Sequence, residues 1–294
     1  MSSCFTREML TRRDFLSLAA LAVPAFAYAD SKRCKAIEAK LVQLERTNGG
    51  RLGVVVFDTA TGERCGLHAD ERFPMCSTFK FLLAAAVLQR VDRHEEKIDR
   101  AIAIPPKPLI GNSPLTEPHA GGTMTVAQLC EAALIRSDNT AANLLLETIG
   151  GPSDITKFCR SIGDEMTRLD RTETSLNEAK PGDSRDTTTP SAMADDLNKI
   201  LLGDVLSPAA RGQLTAWMQA NQTGLDKLRA SVPKGWRVAD KTGSNGETTT
   251  NDIAVFWPMG RRPIVVTAYI TECPGPDSKR AAMLKRVGEL ALVE

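Results

Sequence analysis

A serine and a lysine three residues apart stand at the start of an apolar segment. Residues 77–80 (STFK) precede residues 81–88, which are apolar throughout and indicate a buried helix. This spacing places Ser77 and Lys80 on one helix face, where the lysine can take up the hydroxyl proton if crowding lowers its pKa. The helix N-terminus also offers a backbone N–H to a developing oxyanion. Alone the pattern is weak, because residues 231–234 (SVPK) repeat it around a proline that a helix interior excludes.

Three further polar groups follow along the chain. Residues 137–139 (SDN) come where a helix that begins at a Thr125 capping box ends, so their side chains can project into a cleft. Residues 171–177 (RTETSLN) lie in a stretch without clear periodicity, and residues 241–244 (KTGS) precede a β-rich run. Each group alone is typical of a cap, a turn or a solvated charge. All four groups, in this order and at these separations, are not expected by chance.

These four groups make the chain similar to the class A serine β-lactamases, in which S-x-x-K, S-D-N and K-T-G occur together. The similarity covers the chain from residue 51 to its last predicted helix. It implies that Ser77 is the nucleophile that opens the β-lactam ring and that Ser137 passes a proton to the leaving nitrogen. Either Lys80 or Glu173 would be the base of this step. The N–H groups of Ser77 and Ser244 would form the oxyanion hole.

The resemblance also assigns the groups that bind substrate and water. Asn139 would hold the amide side chain of the substrate, and Glu173 with Asn177 would hold the water that attacks the acyl-enzyme. A carboxylate can activate this water without any histidine. The substrate carboxylate would face the K-T-G segment, which consists of Lys241, Thr242, Gly243 and Ser244.

Opposite charges stand at the two ends of the loop that carries Glu173. Arg171 and Asp186 are well placed to clamp this loop, since a guanidinium and a carboxylate can form a bidentate ion pair. Two solvated surface charges are the alternative interpretation.

Three positions depart from the common pattern of the family. Asn112 stands before Ser-Pro where many members have an aromatic residue, and Asn245 replaces the cysteine that pairs in some relatives with the counterpart of Cys76. Thr250 replaces an arginine that many relatives use for the substrate carboxylate, and a lysine alone cannot grip a carboxylate bidentately. We expect Arg280 to supply the second cation, with Lys227 as the alternative.

The elements that must position these residues are strands at both chain ends and helices between them. Residues 51–58, 253–257 and 264–270 predict strands, and residues 32–44 and 278–293 predict helices. We therefore expect an α+β fold (an α/β sandwich), with an antiparallel sheet of about five strands flanked by helices and an all-helical lobe inserted. The predicted α/β lobe comprises 30–68 and 221–294, and the predicted helical lobe comprises 69–220 with the loop around 168–186. A small-molecule site is expected between the lobes.

Residues 1–29 predict an export signal rather than part of the fold. Arg12 and Arg13 precede a short apolar run, and residues 27–29 (AYA) are suited to cleavage. Paired arginines before Phe-Leu resemble a twin-arginine signal, and an ordinary secretory signal is the alternative. Both interpretations predict a periplasmic protein that keeps no membrane anchor.

Composition limits the other partners. The net charge is +1 and the sequence has no stripe of basic residues, which argues against a nucleic-acid partner. We expect the protein to be a monomer and its partner to be a small β-lactam substrate. The seven cysteines form no C-x-x-C pair and the three histidines no metal-binding spacing, so we expect neither a cofactor nor a catalytic metal. Disulfide pairing and substrate spectrum do not follow from the sequence.

Two other functions share parts of the pattern. A D-alanyl-D-alanine peptidase (a penicillin-binding protein) has the same serine, lysine and K-T-G groups but gains nothing from the Glu173 loop. A β-lactam sensor that stays acylated would need a membrane span and would lack the deacylating glutamate. The sequence therefore favours hydrolysis of penicillins and cephalosporins through an acyl-serine.

Overall fold

The computed structural model describes Met1 and residues 31–292, so the predicted export signal lies outside the described residues apart from Met1. In this part of the chain the α-helices are α1 (Lys32–Asn48), α2 (Phe79–Asp92), α3 (Val126–Ile135), α4 (Asn139–Ile149), α5 (Pro152–Ser161), α6 (Pro190–Leu197), α7 (Pro208–Gln219) and α8 (Asp277–Ala291). The strands are β1 (Arg51–Asp58), β2 (Arg64–Leu67), β3 (Phe73–Pro74), β4 (Ala101–Ala103), β5 (Thr123–Thr125), β6 (Thr187–Thr188), β7 (Arg237–Ser244), β8 (Thr250–Trp257) and β9 (Ile264–Thr271). Among residues 31–292, no helix has both the length and the apolar character needed to cross a membrane.

Five strands form one antiparallel sheet in the order β2-β1-β9-β8-β7. The first strand of the chain pairs with the last over eight residues, from Arg51 opposite Thr271 to Asp58 opposite Ile264. The predicted α+β fold with a sheet built from both chain ends is confirmed. The two short pairs β3–β6 and β4–β5 lie outside this sheet.

The sheet is buried on both faces, and its strands β1 and β9 are apolar at most positions. Val55 on β1 and Tyr269 on β9 face the core that contains α2, whereas Val54 and Val266 face the core that contains α1 and α8. Successive side chains of a strand point to opposite faces, so each strand contributes to both cores. Within α2, residues 79–88 are all buried, which explains why this segment is apolar around its whole circumference.

Side-chain caps set the starts of several helices. Thr125 and Gln128 form the predicted capping box of α3, and Thr189 and Ser207 accept N–H bonds at the starts of α6 and α7. Gly203 follows the π-helical turn Asn198–Leu202 that comes after α6, and its φ of −97° is open to any residue. Glycine is needed there for space, because a Cβ would lie 2.7 Å from the carbonyl oxygen of Lys199.

One disulfide, Cys34–Cys65, joins α1 to β2. Both sulfur-bearing residues are buried in the core between α1, α8 and the sheet. The pairing that the sequence left open is thus a link between the first helix and the sheet. Cys76, Cys130, Cys159 and Cys273 are free and buried.

Candidate active site

The turn that carries Ser77 is held from two sides. Residues 76–78 form a 3₁₀ turn that leads into α2, and Cys76 before Ser77 has a φ of 45°. Asn251 on β8 donates to the carbonyls of Pro74 and Met75 at 2.8 and 3.0 Å, and the Met75 N–H donates to the carbonyl of Asp186. These bonds fix the backbone next to a serine in a conformation that few residues other than glycine adopt.

Lys80 is completely buried and bridges the turn to the next polar group. Its Nζ donates to Asn139 Oδ1 at 2.6 Å and to the Ser137 carbonyl at 2.8 Å, and it lies 3.3 Å from Ser137 Oγ. Ser137 follows the end of α3 with a φ of 55°. The neighbouring Asp138 points away and caps α4 by accepting from the Ala141 N–H. The S-D-N group therefore supplies two cavity side chains and one structural carboxylate.

Glu173 joins the loop to the Ser77 turn. Its Oε1 accepts a hydrogen bond from Ser77 Oγ at 3.0 Å and lies 3.0 Å from Lys80 Nζ. Its Oε2 accepts from Asn177 Nδ2 at 2.6 Å. A carboxylate that contacts a serine hydroxyl, a buried ammonium and an amide is arranged to move protons.

Lys241 approaches Ser137 from the opposite side, on β7. Its Nζ lies 3.1 Å from Ser137 Oγ, so this hydroxyl stands between two lysines. Gly243 allows β7 to pass close to the Ser77 turn, because a Cβ there would lie 2.6 Å from the Met75 carbonyl oxygen and 3.0 Å from the Ser77 nitrogen. This contact brings Ser244, the last residue of the strand, to the wall of the same cavity.

A cavity of about 290 Å³ connects these groups. Its walls are Ser77, Asn112, Ser137, Asn139, Asn177, Thr223, Lys227, Thr242, Gly243, Ser244 and Asp277. Lys80, Glu173 and Lys241 lie directly behind this wall, each in contact with one or more of its residues. Ten of the eleven site residues that the sequence predicts are thus brought together. Their predicted chemical roles stay predictions.

Burial shifts the proton affinities of both lysines. The pKa of Lys80 is lowered by loss of solvent, and the charge of Glu173 opposes this shift. Loss of solvent, followed by repulsion from Lys80, lowers the pKa of Lys241 to about 7. A lowered pKa makes the neutral, proton-accepting form of a lysine more accessible, which suits both lysines to exchange protons with the Ser77 and Ser137 hydroxyls.

The ion pair predicted between Arg171 and Asp186 forms, but the Arg171 guanidinium divides its donors between two carboxylates. Arg171 Nε donates to Asp186 Oδ2 at 2.6 Å, while its Nη1 donates to Glu178 at 2.6 Å. The other oxygen of Asp186 accepts the N–H groups of Asp170 and Arg171 at 2.7 and 2.9 Å. The bidentate geometry is therefore wrong, because backbone donors already occupy one carboxylate oxygen.

Arg280 does not reach the cavity, and this corrects the expectation that it faces a substrate carboxylate. Its side chain is fully buried. The guanidinium donates to Thr250 Oγ1 at 2.9 Å and to the carbonyls of Glu247, Cys273 and Gly275. Lys227 lies in the cavity wall instead, 7% exposed. Its Nζ is 3.0 Å from Asp226 and 3.8 Å from Asp277. Arg280 supports the wall from behind, where Thr250 also donates to Asp277.

Asn143 is an important position that the sequence analysis missed. Its Oδ1 accepts from the Glu173 N–H at 2.9 Å, and its Nδ2 donates to the Glu173 carbonyl at 2.8 Å. Both backbone groups of Glu173 are therefore fixed by one amide. Asn143 lies four residues after Asn139 on α4, so helical spacing from a predicted site residue could have indicated it. Thr223, which contacts Thr242 Oγ1 at 2.5 Å, offers no comparable signal.

Comparisons with known proteins agree with this geometry. A family model described as the beta-lactamase enzyme family matches residues 35–293. Beta-lactamase L2 of Stenotrophomonas maltophilia is 47% identical over 298 residues, which include 96% of this chain and 98% of the relative. Beta-lactamase CTX-M-25 of Escherichia coli is 45% identical over 281 residues, with 95% of each chain covered.

Solved structures are similar over the same region. An ancestral (GNCA) class A β-lactamase is 60% identical, with a TM-score of 0.85 over 87% of this chain and 98% of that chain. A β-lactamase from Xanthomonas campestris is 50% identical, with a TM-score of 0.86 over 88% and 97%. Nothing in these similarities favours the peptidase alternative. The chain therefore belongs to the class A serine β-lactamases, enzymes that hydrolyse β-lactam antibiotics and thereby confer resistance.

Proposed function

We propose that Ser77 opens the β-lactam ring and that Glu173 directs the water that releases the product. One observation carries this assignment: a single carboxylate contacts the Ser77 hydroxyl and the Lys80 ammonium through one oxygen and the Asn177 amide through the other. Such a group can serve the serine in the first step and a water molecule in the second.

In the acylation step, Ser77 Oγ attacks the lactam carbonyl and its proton passes to Lys80 or Glu173, both of which are in reach. The N–H groups of Ser77 and Ser244 stabilise the oxyanion. The ring C–N bond then breaks, and the nitrogen takes a proton from Ser137. Lys80 and Lys241 both lie near this hydroxyl and can replace its proton.

In the deacylation step, Glu173 takes a proton from the water that it holds with Asn177. The oxygen of this water attacks the ester carbonyl, and Ser77 leaves with a returned proton. Because Asn143 fixes both backbone groups of Glu173, the carboxylate keeps its position while its charge changes.

Substrate binding uses the opposite wall of the cavity. Lys241, Thr242 and Ser244 receive the substrate carboxylate, and Asn139 receives the amide side chain. Lys227 supplies the second cation that Thr250 cannot provide, since this residue lines the cavity. A lysine offers a point charge rather than a fork, so we expect less directional binding than a guanidinium gives.

Glu173→Gln provides the test of the two-step mechanism. We expect this variant to acylate and then retain the ester, because glutamine keeps the shape but cannot accept the proton. Deacylation should fall by about 10²–10⁴-fold. Intact-mass spectrometry after mixing with benzylpenicillin should show a stable adduct of one substrate per chain. Glu165→Gln, which changes an exposed carboxylate before the loop, is the control. Turnover of Glu173→Gln at the wild-type rate would remove Glu173 from the mechanism.

We further infer that the enzyme works as a monomer in the periplasm and is exported through the twin-arginine route. We also propose that the catalytic cavity lies between an α/β lobe (30–68 and 221–294) and a helical lobe (69–220).

The paired Arg12 and Arg13 support export through the twin-arginine route. Replacing both with lysine should trap activity in the cytoplasm, as fractionation would show. Undiminished export would indicate the general secretory route instead.

A further inference from the structure

Away from the Ser77 cavity, three side chains that can bind a metal converge at the base of the Glu173 loop. They are Cys159 near the end of α5, Asp164 just after α5, and Asp196 on α6. One ligand atom from each lies within 4.8 Å of the other two. The three residues are 0%, 4% and 0% exposed. None of them lines the cavity of the active site.

The carboxylates of this cluster lack the partners that buried charges require. Both oxygens of Asp196 and Oδ2 of Asp164 are without a hydrogen-bond donor among the described residues. A buried carboxylate without a partner is costly, so native proteins pair it, protonate it or bind a metal with it. Elsewhere in the described chain, the buried Glu173 and Asp186 have donors on both oxygens. Asp252 has a donor on one oxygen only, so Asp196 differs from all three in having none. Either a proton shared between the two carboxylates or a bound cation must therefore satisfy the cluster.

Asp164 is oriented in the manner of a metal ligand that binds through one oxygen. Its Oδ1 accepts the N–H groups of Met166 and Thr167 at 2.7 and 3.0 Å, which leaves Oδ2 free to face the cluster. Metal-binding carboxylates are commonly held by such outer hydrogen bonds. The backbone also connects two of the ligands, since the Asp164 N–H donates to the Cys159 carbonyl at 2.9 Å.

Neighbouring protein cations are engaged elsewhere. Lys199 Nζ donates to the carbonyl of Ile162 at 2.6 Å. Arg160 donates to the carbonyls of Asp164 and Thr167 and pairs with Glu165. Among residues 31–292, no arginine or lysine forms an ion pair with Asp164 or Asp196.

We propose that Cys159, Asp164 and Asp196 bind one thiophilic divalent cation of the Zn²⁺ class. One thiolate and two carboxylates form a mixed soft and hard ligand set that suits zinc, whereas Mg²⁺ and Ca²⁺ prefer oxygen ligands alone. Binding releases the thiol proton, and the three negative ligands then surround a charge of +2. Because the cluster is buried, the ion enters while the chain folds.

The position of the cluster gives the ion a structural role. Residues 164–167 lead into the Glu173 loop, and α6 follows its end, so the ion ties the two ends of the loop together. Two bonds already join these ends, Thr167 Oγ1 to Thr188 Oγ1 at 2.7 Å and the Arg168 N–H to the Thr187 carbonyl at 3.0 Å. The ion acts on the stability of the loop base and takes no part in the reaction at Ser77.

The test is the metal content of the mature enzyme, measured without reference to activity. Wild-type protein, purified without metal-affinity resin, is unfolded with EDTA and refolded with Zn²⁺ or without metal. We expect about one zinc per chain after gel filtration and a Tm about 5–10 °C higher than that of the metal-free protein. Refolding with Co²⁺ should give a thiolate-to-cobalt charge-transfer absorption.

Cys159→Ser and Asp196→Asn should lose the zinc and the cobalt absorption. Cys130→Ser, which changes another buried thiol outside the cluster, should keep both. Wild-type protein that refolds to full activity with no bound zinc and an unchanged Tm overturns the proposal, even if a variant fails to fold. A proton shared between Asp164 and Asp196 would then explain the cluster, and Asp196→Asn would be as stable as wild type.

Discussion

The two halves of the active site differ in how deeply their supporting contacts are buried. On one side, Ser77 and Lys80 belong to a turn and to the first ten residues of α2, which are all buried, so apolar packing adds to the hydrogen bonds that fix the turn. On the other side, Glu173 lies on a loop whose ion pairs are partly open to solvent, with Arg171 17% and Glu178 36% exposed. Hydrogen bonds with Asn143 and Asp186 hold this loop in position, together with the burial of Leu169 and Leu176 in the core.

This difference indicates that the two chemical steps can be damaged separately. Changes on the Ser77 side should affect acylation, because they alter the proposed nucleophile and its proton acceptor. Changes in the loop should affect deacylation, because they move the carboxylate that we propose activates water. A misplacement of about 1 Å can reduce a rate by about 10²-fold, so even a loosened loop has a measurable effect.

The largest effect is expected for Lys80→Met. The variant keeps the size of the side chain but removes the cation between Ser137, Asn139 and Glu173. Acylation should fall by about 10³-fold, as stopped-flow measurement with a chromogenic cephalosporin would show. Lys234→Met is the matched control, because Lys234 ends the second S-x-x-K sequence and is exposed. Acylation of Lys80→Met at the wild-type rate would exclude Lys80 as an acylation base.

A smaller and selective effect is expected for Asp186→Asn. One Asp186 oxygen accepts two backbone N–H groups and the other accepts the guanidinium of Arg171. Asparagine has only one oxygen that can accept hydrogen bonds, so it cannot keep both sets. Deacylation should fall by about 10²-fold and acylation by less than about 5-fold, with an unchanged far-UV circular dichroism spectrum. Asp183→Asn, which affects an ion pair with the exposed Arg185, should change neither step. Equal losses in both steps for Asp186→Asn would contradict a separate loop function.

Substrate binding should be affected about tenfold by Lys227→Met. Loss of one charged hydrogen bond costs about 1.5 kcal/mol, so KM for benzylpenicillin should rise while kcat stays nearly constant.

Arg280→Ala should instead lower the free energy of unfolding by about 2–4 kcal/mol, because it removes a buried side chain with four hydrogen bonds. Urea denaturation measures this loss. A raised KM in Arg280→Ala together with unchanged stability would restore the assignment to Arg280.

The smallest effect is expected in the pH dependence. Lys241 must be charged to attract a carboxylate, and its pKa is lowered to about 7, so the cation is lost as pH rises through 7. If only the protonated form binds, kcat/KM should fall about threefold between pH 6.5 and 7.5. Lys241→Arg should remove this decline, since a guanidinium stays protonated. A decline of the same size in Lys241→Arg would assign it to another group.

Much of this arrangement could be predicted from the sequence. Apolar runs locate β1 and β9, and the S-x-x-K, S-D-N and K-T-G groups, with the Glu173 loop between the last two, lead to one cavity. Each motif is short and continuous, and the resemblance to the class A family assigned the motifs to one site. The capping box at Thr125 is a local pattern of the same kind.

What failed depended on contacts between distant segments. The Arg171 guanidinium bonds only one oxygen of Asp186, because backbone N–H groups donate to the other oxygen. The Arg280 side chain points into the protein, because three backbone carbonyls there accept its hydrogen bonds. Cys159 and Asp196 meet only because α5 and the loop base pack against α6. No spacing rule connects residues that far apart, so the tertiary fold was needed to find them.

The pairing of β1 with β9 has a consequence for how the enzyme is made. In the sheet order, β9 is the strand that joins the β1–β2 hairpin to the β7–β8 hairpin, and along the chain it follows the other four strands of this sheet. Contacts between distant parts of a chain form slowly and only after both parts exist. A nascent chain that stops before Ile264 therefore holds two unconnected hairpins. Cells gain protection only once the ribosome has translated β9, so products that are truncated before this strand leave the antibiotic intact.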